Sequence, residues 1–152
     1  RFRHFVAKAS DMIFRYRVSP VRGYDYISPA CQHILGVSPE EVYADHTLLL
    51  KMAIPESRPS LTSAYANPET VRQHELLGFI RGDGATVWLE TSRVPVCDTD
   101  GDIVGYDGVG RDVTDRTRAE EALRASEQRF RHLSEHALDV IYRYRLEPTA
   151  AC

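Results

Sequence analysis

The chain has 152 residues, 43% of them apolar, and carries 19 Lys and Arg against 22 Asp and Glu. That length and composition fit one globular domain with a core of its own. The net charge of −3, mixed in sign and without a long basic run, argues against a nucleic-acid partner. No apolar run approaches the roughly 20 residues of a membrane span, and no signal-peptide pattern opens the sequence. Cys31, Cys97 and Cys152 are odd in number and far apart. They point to a reducing, cytoplasmic compartment without a disulfide framework.

In chain order, Phe2, Phe5, Val6 and Ala9 have helical spacing, so residues 1–9 are predicted as an N-terminal linker helix. Met12 to Val18 alternates, with Met12, Phe14, Tyr16 and Val18 on one side, and predicts a strand. Tyr24 to Ile27 is a second. Ser28-Pro29 starts a helical segment through Ile34 and Leu35 that Gly36 can close. Ser38-Pro39-Glu40-Glu41 is a helix start, with Ser as N-cap, Pro at the first position and acids in the first turn. Leu48 to Ile54 is a short apolar stretch stopped by Pro55, and a further helix runs from about Pro59 to Ala66. Val71 to Arg81, Thr86 to Cys97 and Ile103 to Val113 read as three strands. They are joined by Arg81-Gly82-Asp83-Gly84 and by Asp98-Thr99-Asp100-Gly101-Asp102, whose Asp-Gly pairs supply the positive φ of tight turns. The expected fold class is α+β: a five-stranded antiparallel sheet with short helices between strands two and three.

From Thr114 the period becomes helical, and Thr117-Arg118-Ala119-Glu120 fits a capping box. Ala119, Leu123, Ser126, Phe130, Leu133 and Ala137 follow at spacings of 4, 3, 4, 3 and 4. This heptad-like stripe fits either one amphipathic helix docked on its own domain or a two-stranded coiled coil that makes a homodimer. The opening of the chain also returns. Arg1-Phe2-Arg3-His4 recurs as Arg129-Phe130-Arg131-His132, and Ile13-Phe14-Arg15-Tyr16-Arg17 as Ile141-Tyr142-Arg143-Tyr144-Arg145. Ala9, Asp11 and Pro20 match Ala137, Asp139 and Pro148, giving eleven identities in twenty positions at a constant offset of 128. The expected organisation is therefore a linker helix at 1–9, a domain at 10–116, an exit helix at 117–138 and the stub of a second repeat at 139–152.

Several motif-like stretches carry no chemistry. His74-Glu75-Leu76 lacks the residues that follow a phosphoacceptor histidine and lies in a strand pattern. His132 and His136 share a helix face, but a third metal ligand is not evident. Asp98 to Asp102 has its Gly in the wrong position for a calcium loop and lacks the distal Glu. Gly105, Gly108 and Gly110 lie inside a strand rather than between strand and helix, where a dinucleotide fingerprint belongs; close backbone approach explains them. No catalytic arrangement and no metal site is recognisable, so this fragment is not expected to be an enzyme.

Four stretches, in this order, resemble the PAS family, and more closely its PAC-containing, S-box subclass of bacterial multi-domain sensors. They are Ser28-Pro29-Ala30-Cys31 with Ile34-Leu35-Gly36-Val37-Ser38-Pro39-Glu40-Glu41; Arg81-Gly82-Asp83-Gly84 with Trp88-Leu89-Glu90; Asp98 to Gly101 with Gly105 to Gly110; and Arg111-Asp112-Val113-Thr114-Asp115-Arg116, with Val113 in place of the usual Ile. The resemblance implies a sensory module. Its cavity would bind a small molecule or partner and would signal through the C-terminal helix to an output domain in cis, a histidine kinase or a diguanylate cyclase. The alternative it leaves open is a ligand-free dimerisation or spacer module in a tandem array. It also implies pocket candidates at Leu61, Tyr65, Leu77, Phe79, Trp88 and Val109, each equally readable as plain core. Asp112, Thr114 and Asp115 would then transmit the signal; Asp112 and Thr114 can also serve simply as a structural cap. The sequence argues against haem: the Pro59 to Ala66 helix has no His, while His33 and His46 lie elsewhere. It argues against flavin too, because the Asn-Cys-Arg-Phe-Leu-Gln motif is missing and Cys31 sits in a different segment. The ligand itself is not identified.

Overall fold

A computed structural model describes residues 8–66, 69 and 72–146, apart from the side chains of 141–146. The chain divides into two units, Arg1–Thr114 and Asp115–Cys152. In the first, the alternating segment at the start becomes β1 (Met12–Arg17), followed by β2 (Gly23–Ile27). Four short helices come next: α1 (Ala30–Leu35), α2 (Pro39–Ala44), α3 (Leu48–Met52) and, after a 3-10 turn at Pro55–Ser57, α4 (Arg58–Ala66). The meander β3 (His74–Ile80), β4 (Thr86–Cys97) and β5 (Ile103–Asp112) completes the unit. Residues 1–7 of the expected linker helix lie outside the described residues; Ala9 and Ser10 form a turn.

The local signals explain most of these boundaries. Ser38 accepts the Glu41 amide while the Glu41 side chain reaches back to the Ser38 amide, a complete capping box at the start of α2. Gly36 ends α1 at φ 75°, and Gly84 and Gly101 turn the two hairpins at φ 86° and 85°. Glycine takes these values without Cβ strain.

Among the described residues, five strands form one antiparallel sheet in the order β2-β1-β5-β4-β3. The last strand in sequence is thus the middle one, paired with β1 on one side and β4 on the other. Its glycines make that possible. Gly108 lies opposite Phe14, whose ring occupies the space a Cβ would need. Gly105 lies under the Tyr16 carbonyl, and Gly110 leaves room for Met12 and Leu89. The helices supply Cys31, Ile34, Leu35, Val42, Leu49 and Leu61 to a core completed from the sheet by Met12, Leu77, Phe79, Val87 and Leu89. The outer edge of β3 is covered rather than left open. Ser57 Oγ accepts the Gly78 amide at 2.9 Å, and the Ile54 amide donates to the Gly78 carbonyl at 3.0 Å.

In the second unit, α5 runs from Thr114 to Leu146. It starts three residues before the expected capping box, so Thr117 lies inside the helix and caps nothing. Leu123, Phe130 and Leu133 of the heptad stripe are exposed, Phe130 by 73%. The helix also runs through residues 141–145, whose counterparts at 13–17 form β1. A strand needs neighbours for its backbone groups. β1 has them in β2 and β5; residues 141–145 have none among the described residues, and the helix propagates through them.

Asp11, only 3% exposed, closes the sheet's end by pairing with Arg111 of β5 at 3.0 Å, and it accepts the Lys8 amide at 2.7 Å. Burial works to raise its carboxyl pKa. The hydrogen bonds and the Arg111 charge outweigh that and hold it below its ordinary value of 3.8. The folded state therefore binds the Asp11 proton more weakly than the unfolded chain. The pair's stabilisation is present above the ordinary carboxylate range and is lost as pH falls through the lowered value. We expect Asp11→Asn to cost about 1–3 kcal/mol at pH 7 in urea unfolding, with the gap from wild type closing towards pH 3.

Candidate functional site

The inner face of the sheet, under α3 and α4, encloses a cavity of about 40 Å³. Strand alternation decides what lines it. Glycines apart, the buried positions on β4 are Val87, Leu89, Thr91 and Arg93; on β3 Leu77 and Phe79; on β5 Tyr106; on β1 Met12 and Tyr16. Of the residues proposed from sequence, Leu61, Tyr65, Leu77 and Phe79 line this cavity. Trp88 and Val109 do not. Trp88 follows Val87 and precedes Leu89, so it turns to the opposite face, where its ring lies against Gly78. Val109 follows Gly108 and joins Ile13, Tyr26 and Val94 on a shallow outer-face groove of about 630 Å³, crossed by the Arg15–Asp107 pair. A period of two was enough to separate these positions.

The cavity is lined by both apolar and polar side chains. Its polar end holds Tyr16, Tyr24, Tyr65, Tyr106, Thr91 and Arg93. Tyr16 stacks on Tyr65 with ring centroids 4.8 Å apart and meets Tyr24 edge-on at 4.9 Å. Tyr16 Oη and His46 Nδ1 are 3.3 Å apart. Arg93, 6% exposed, donates from a terminal guanidinium nitrogen to Glu75 Oε2 at 2.7 Å; Glu75 is 9% exposed and also accepts the Ser60 hydroxyl. Removing one partner of such a pair strands a charge, at about 3–5 kcal/mol. Thr91 donates to the Glu75 carbonyl at 2.9 Å, which holds β3 and β4 in register beside the pair.

Three polar atoms at this end have no hydrogen-bond partner among the described residues: Arg93 Nε, Tyr65 Oη and Tyr106 Oη. The Tyr65 hydroxyl neighbours that of Tyr24 without hydrogen-bond geometry. Burial pushes Tyr16 and Tyr106 up to about 12 and also raises Tyr65. Tyr24 is raised well above its ordinary value by burial and by the Tyr65 hydroxyl beside it. The Arg93 guanidinium pulls the other way on Tyr24, Tyr65 and Tyr106. The phenols therefore stay protonated at neutral pH and can donate. Arg93, Glu75, Thr91 and the Tyr16, Tyr24 and Tyr106 rings were not singled out from sequence. The signal available was the alternation of β4, which places Arg93 on the same face as Leu89.

The other proposed residues sit where β5 ends. Asp112 Oδ1 accepts the Thr114 amide at 2.9 Å and the Thr114 hydroxyl. Thr114 Oγ1 in turn accepts the Trp88 amide at 3.0 Å, and the Val113 amide donates to the Trp88 carbonyl at 2.9 Å. Both backbone groups of Trp88 are thus bound to the junction, while the next residue, Leu89, faces the cavity. Asp115 lies in the first turn of α5, where an acid is favourable. Cys31 is buried, and its thiol donates to the Val37 carbonyl. No helix among the described residues is long and apolar enough to cross a membrane.

Comparison with known proteins agrees with this architecture. No curated protein matches the chain. An RNA-binding light-oxygen-voltage receptor is 28% identical with a TM-score of 0.59; the match covers 82% of this chain and 36% of that one, so the chain spans about a third of the receptor's length. A sensory box histidine kinase/response regulator from Burkholderia thailandensis E264 is 23% identical, with a TM-score of 0.61, over 82% of this chain and 92% of that one. The N-terminal domain of a diguanylate cyclase with PAS/PAC sensor from Marinobacter aquaeolei shares the fold at 15% identity and a TM-score of 0.59, over 70% and 98% of the two chains. The family described as PAS fold matches residues 9–118. With a sheet in the order β2-β1-β5-β4-β3, four short helices over one face and a family match across most of its length, this chain belongs to the PAS family.

Proposed function

We propose that the domain is a sensory module whose interior binds a small molecule and whose response leaves through Asp112, Thr114 and Asp115 into α5. One observation carries this reading. β4 faces the cavity with Leu89, Thr91 and Arg93, and at Trp88 it is bonded on both backbone groups to the residues that open α5. A change of packing at Leu89 is one residue from the junction. The PAS domain itself is non-catalytic, so output belongs to another domain of the full-length protein. A histidine kinase or a diguanylate cyclase fits, in view of the proteins whose PAS domains this one resembles. Residues 139–152 fit the start of a second PAS unit in a tandem, cytoplasmic array. Only a few kcal/mol of differential binding would switch such a module.

A second reading, a ligand-free spacer, is favoured by the small size of the cavity. The two readings separate in one experiment. Ala64 lines the cavity and is buried, so Ala64→Val fills space without any ligand. We expect this substitution to move the amide resonances of Trp88 and Thr114, and its effect on the residue 114 amide to disappear when Ala64→Val/Thr114→Val is compared with Thr114→Val alone. Unmoved resonances at both positions would leave the spacer.

Dimerisation belongs to the same proposal. The exposed Leu123, Phe130 and Leu133 stripe on α5 fits a parallel partner helix. Light scattering should give a dimer mass for the chain and a weaker dimer once residues 117–137 are deleted. A monomer in both cases removes the coiled coil.

A further inference from the structure

The polar end of the cavity is built for an occupant of defined chemistry; this step rests on the interior being the sensory site. Arg93 Nε can only donate. The Tyr65 and Tyr106 hydroxyls have no partner of their own, and all three side chains are more than nine-tenths buried, with Arg93 at 6% and Tyr106 at 3% exposure. An unpaired buried donor is costly to the folded state. Three of them in one cavity mark a place where stability has been given up for recognition of an acceptor.

Charge narrows the class. Among the residues lining the cavity Arg93 alone is charged, and Glu75 already neutralises it at 2.7 Å. A carboxylate or phosphate entering here would leave a net negative charge in a low-dielectric interior with no further cation among the lining residues, which is strongly unfavourable. A neutral oxygen acceptor meets the same donors without that cost. Size narrows it again. The free space of about 40 Å³ compares with the ~10–15 Å³ that one water needs, so the occupant has on the order of four heavy atoms. The remaining walls, Leu61, Leu77, Phe79 and Leu89, are apolar and suit methyl or methylene groups. The geometry points to a small uncharged carbonyl compound, with its oxygen held by Arg93 Nε and the Tyr65 and Tyr106 hydroxyls and its alkyl groups against the leucines.

The test uses the ¹⁵N-labelled chain and follows the Arg93 Nε–H resonance as acetone or sodium acetate is added at matched ionic strength. Acetone should move this resonance in a saturable way and acetate should not. Tyr106→Phe removes only an unpartnered hydroxyl. It should melt no lower than wild type and should bind acetone about tenfold more weakly, the loss expected for one buried hydrogen bond. Tyr65→Phe serves in the same way if Tyr106→Phe does not fold. Binding of acetate at least as tight as that of acetone overturns the neutral class. No response to either means that water alone satisfies these donors, and overturns the proposal. Unchanged acetone affinity in the Phe variant overturns the assigned contact. The Ala64→Val result does not depend on ligand chemistry. If it moves Trp88 and Thr114 while acetone fails to bind, the sensory reading stands and the ligand class falls. If acetone binds while Trp88 and Thr114 stay still under both treatments, the ligand class stands and transmission falls.

Discussion

The pairing of β1 with β5 is the constraint on which everything else in the domain depends. It joins residues 12–17 to residues 105–110, bringing the start of the fold against its end. Without it the first hairpin is a two-stranded ribbon, which is marginal in water, and the C-terminal meander has no wall for its inner face. The cost of closing so long a loop is set against apolar burial from both halves. The glycines of β5 are part of that exchange. They cost conformational entropy, and in return they admit the Phe14 ring and the Tyr16 backbone at a distance no larger residue would allow.

The same strand order produces the polar interior. With β5 in the middle, Tyr106 lies opposite Tyr16 of β1 and, on β4, opposite Pro95, two residues along the strand from Arg93. The tyrosines and the guanidinium are then enclosed by α4 from above. Most of this group is stabilising: the Tyr16–Tyr65 stack, the Glu75–Arg93 pair and the Thr91 bond each satisfy local demands. The three donors left over do not. A core chosen only for stability would place Phe at positions 65 and 106, so the hydroxyls there are the part of the interior that packing does not account for.

Much of the fold was legible in the residues, for reasons that are local. The Ser38 capping box, the Gly36 helix end and the two Asp-Gly turns act through neighbours three or four positions away, and the structure places them where those neighbours dictate. Strand bounds at Thr86 and Cys97 follow from clean alternation between turn signals. The interior site was less legible. The resemblance offers Trp88 and Val109 as pocket lining, although alternation turns both outward. Arg93 and Glu75 lie 18 residues apart on different strands, so no local pattern brings them together. Only the pairing of β3 with β4, which sets residue 75 beside residue 91, shows that they meet. α5 starts three residues before the expected box because Asp112 accepts the Thr114 amide and Thr114 is in turn tied to Trp88, 26 residues away in sequence.

The Ile-x-Arg-Tyr-Arg pattern is a strand at 13–17 and a helix at 141–145. Its conformation is decided by whether hydrogen-bonding neighbours are on offer, not by its own composition. Supplying those neighbours around the second copy would draw about five residues out of α5 and shorten it by roughly 8 Å. The length of α5 is then a variable, set by the backbone partners offered to its last turns rather than by the residues that form them.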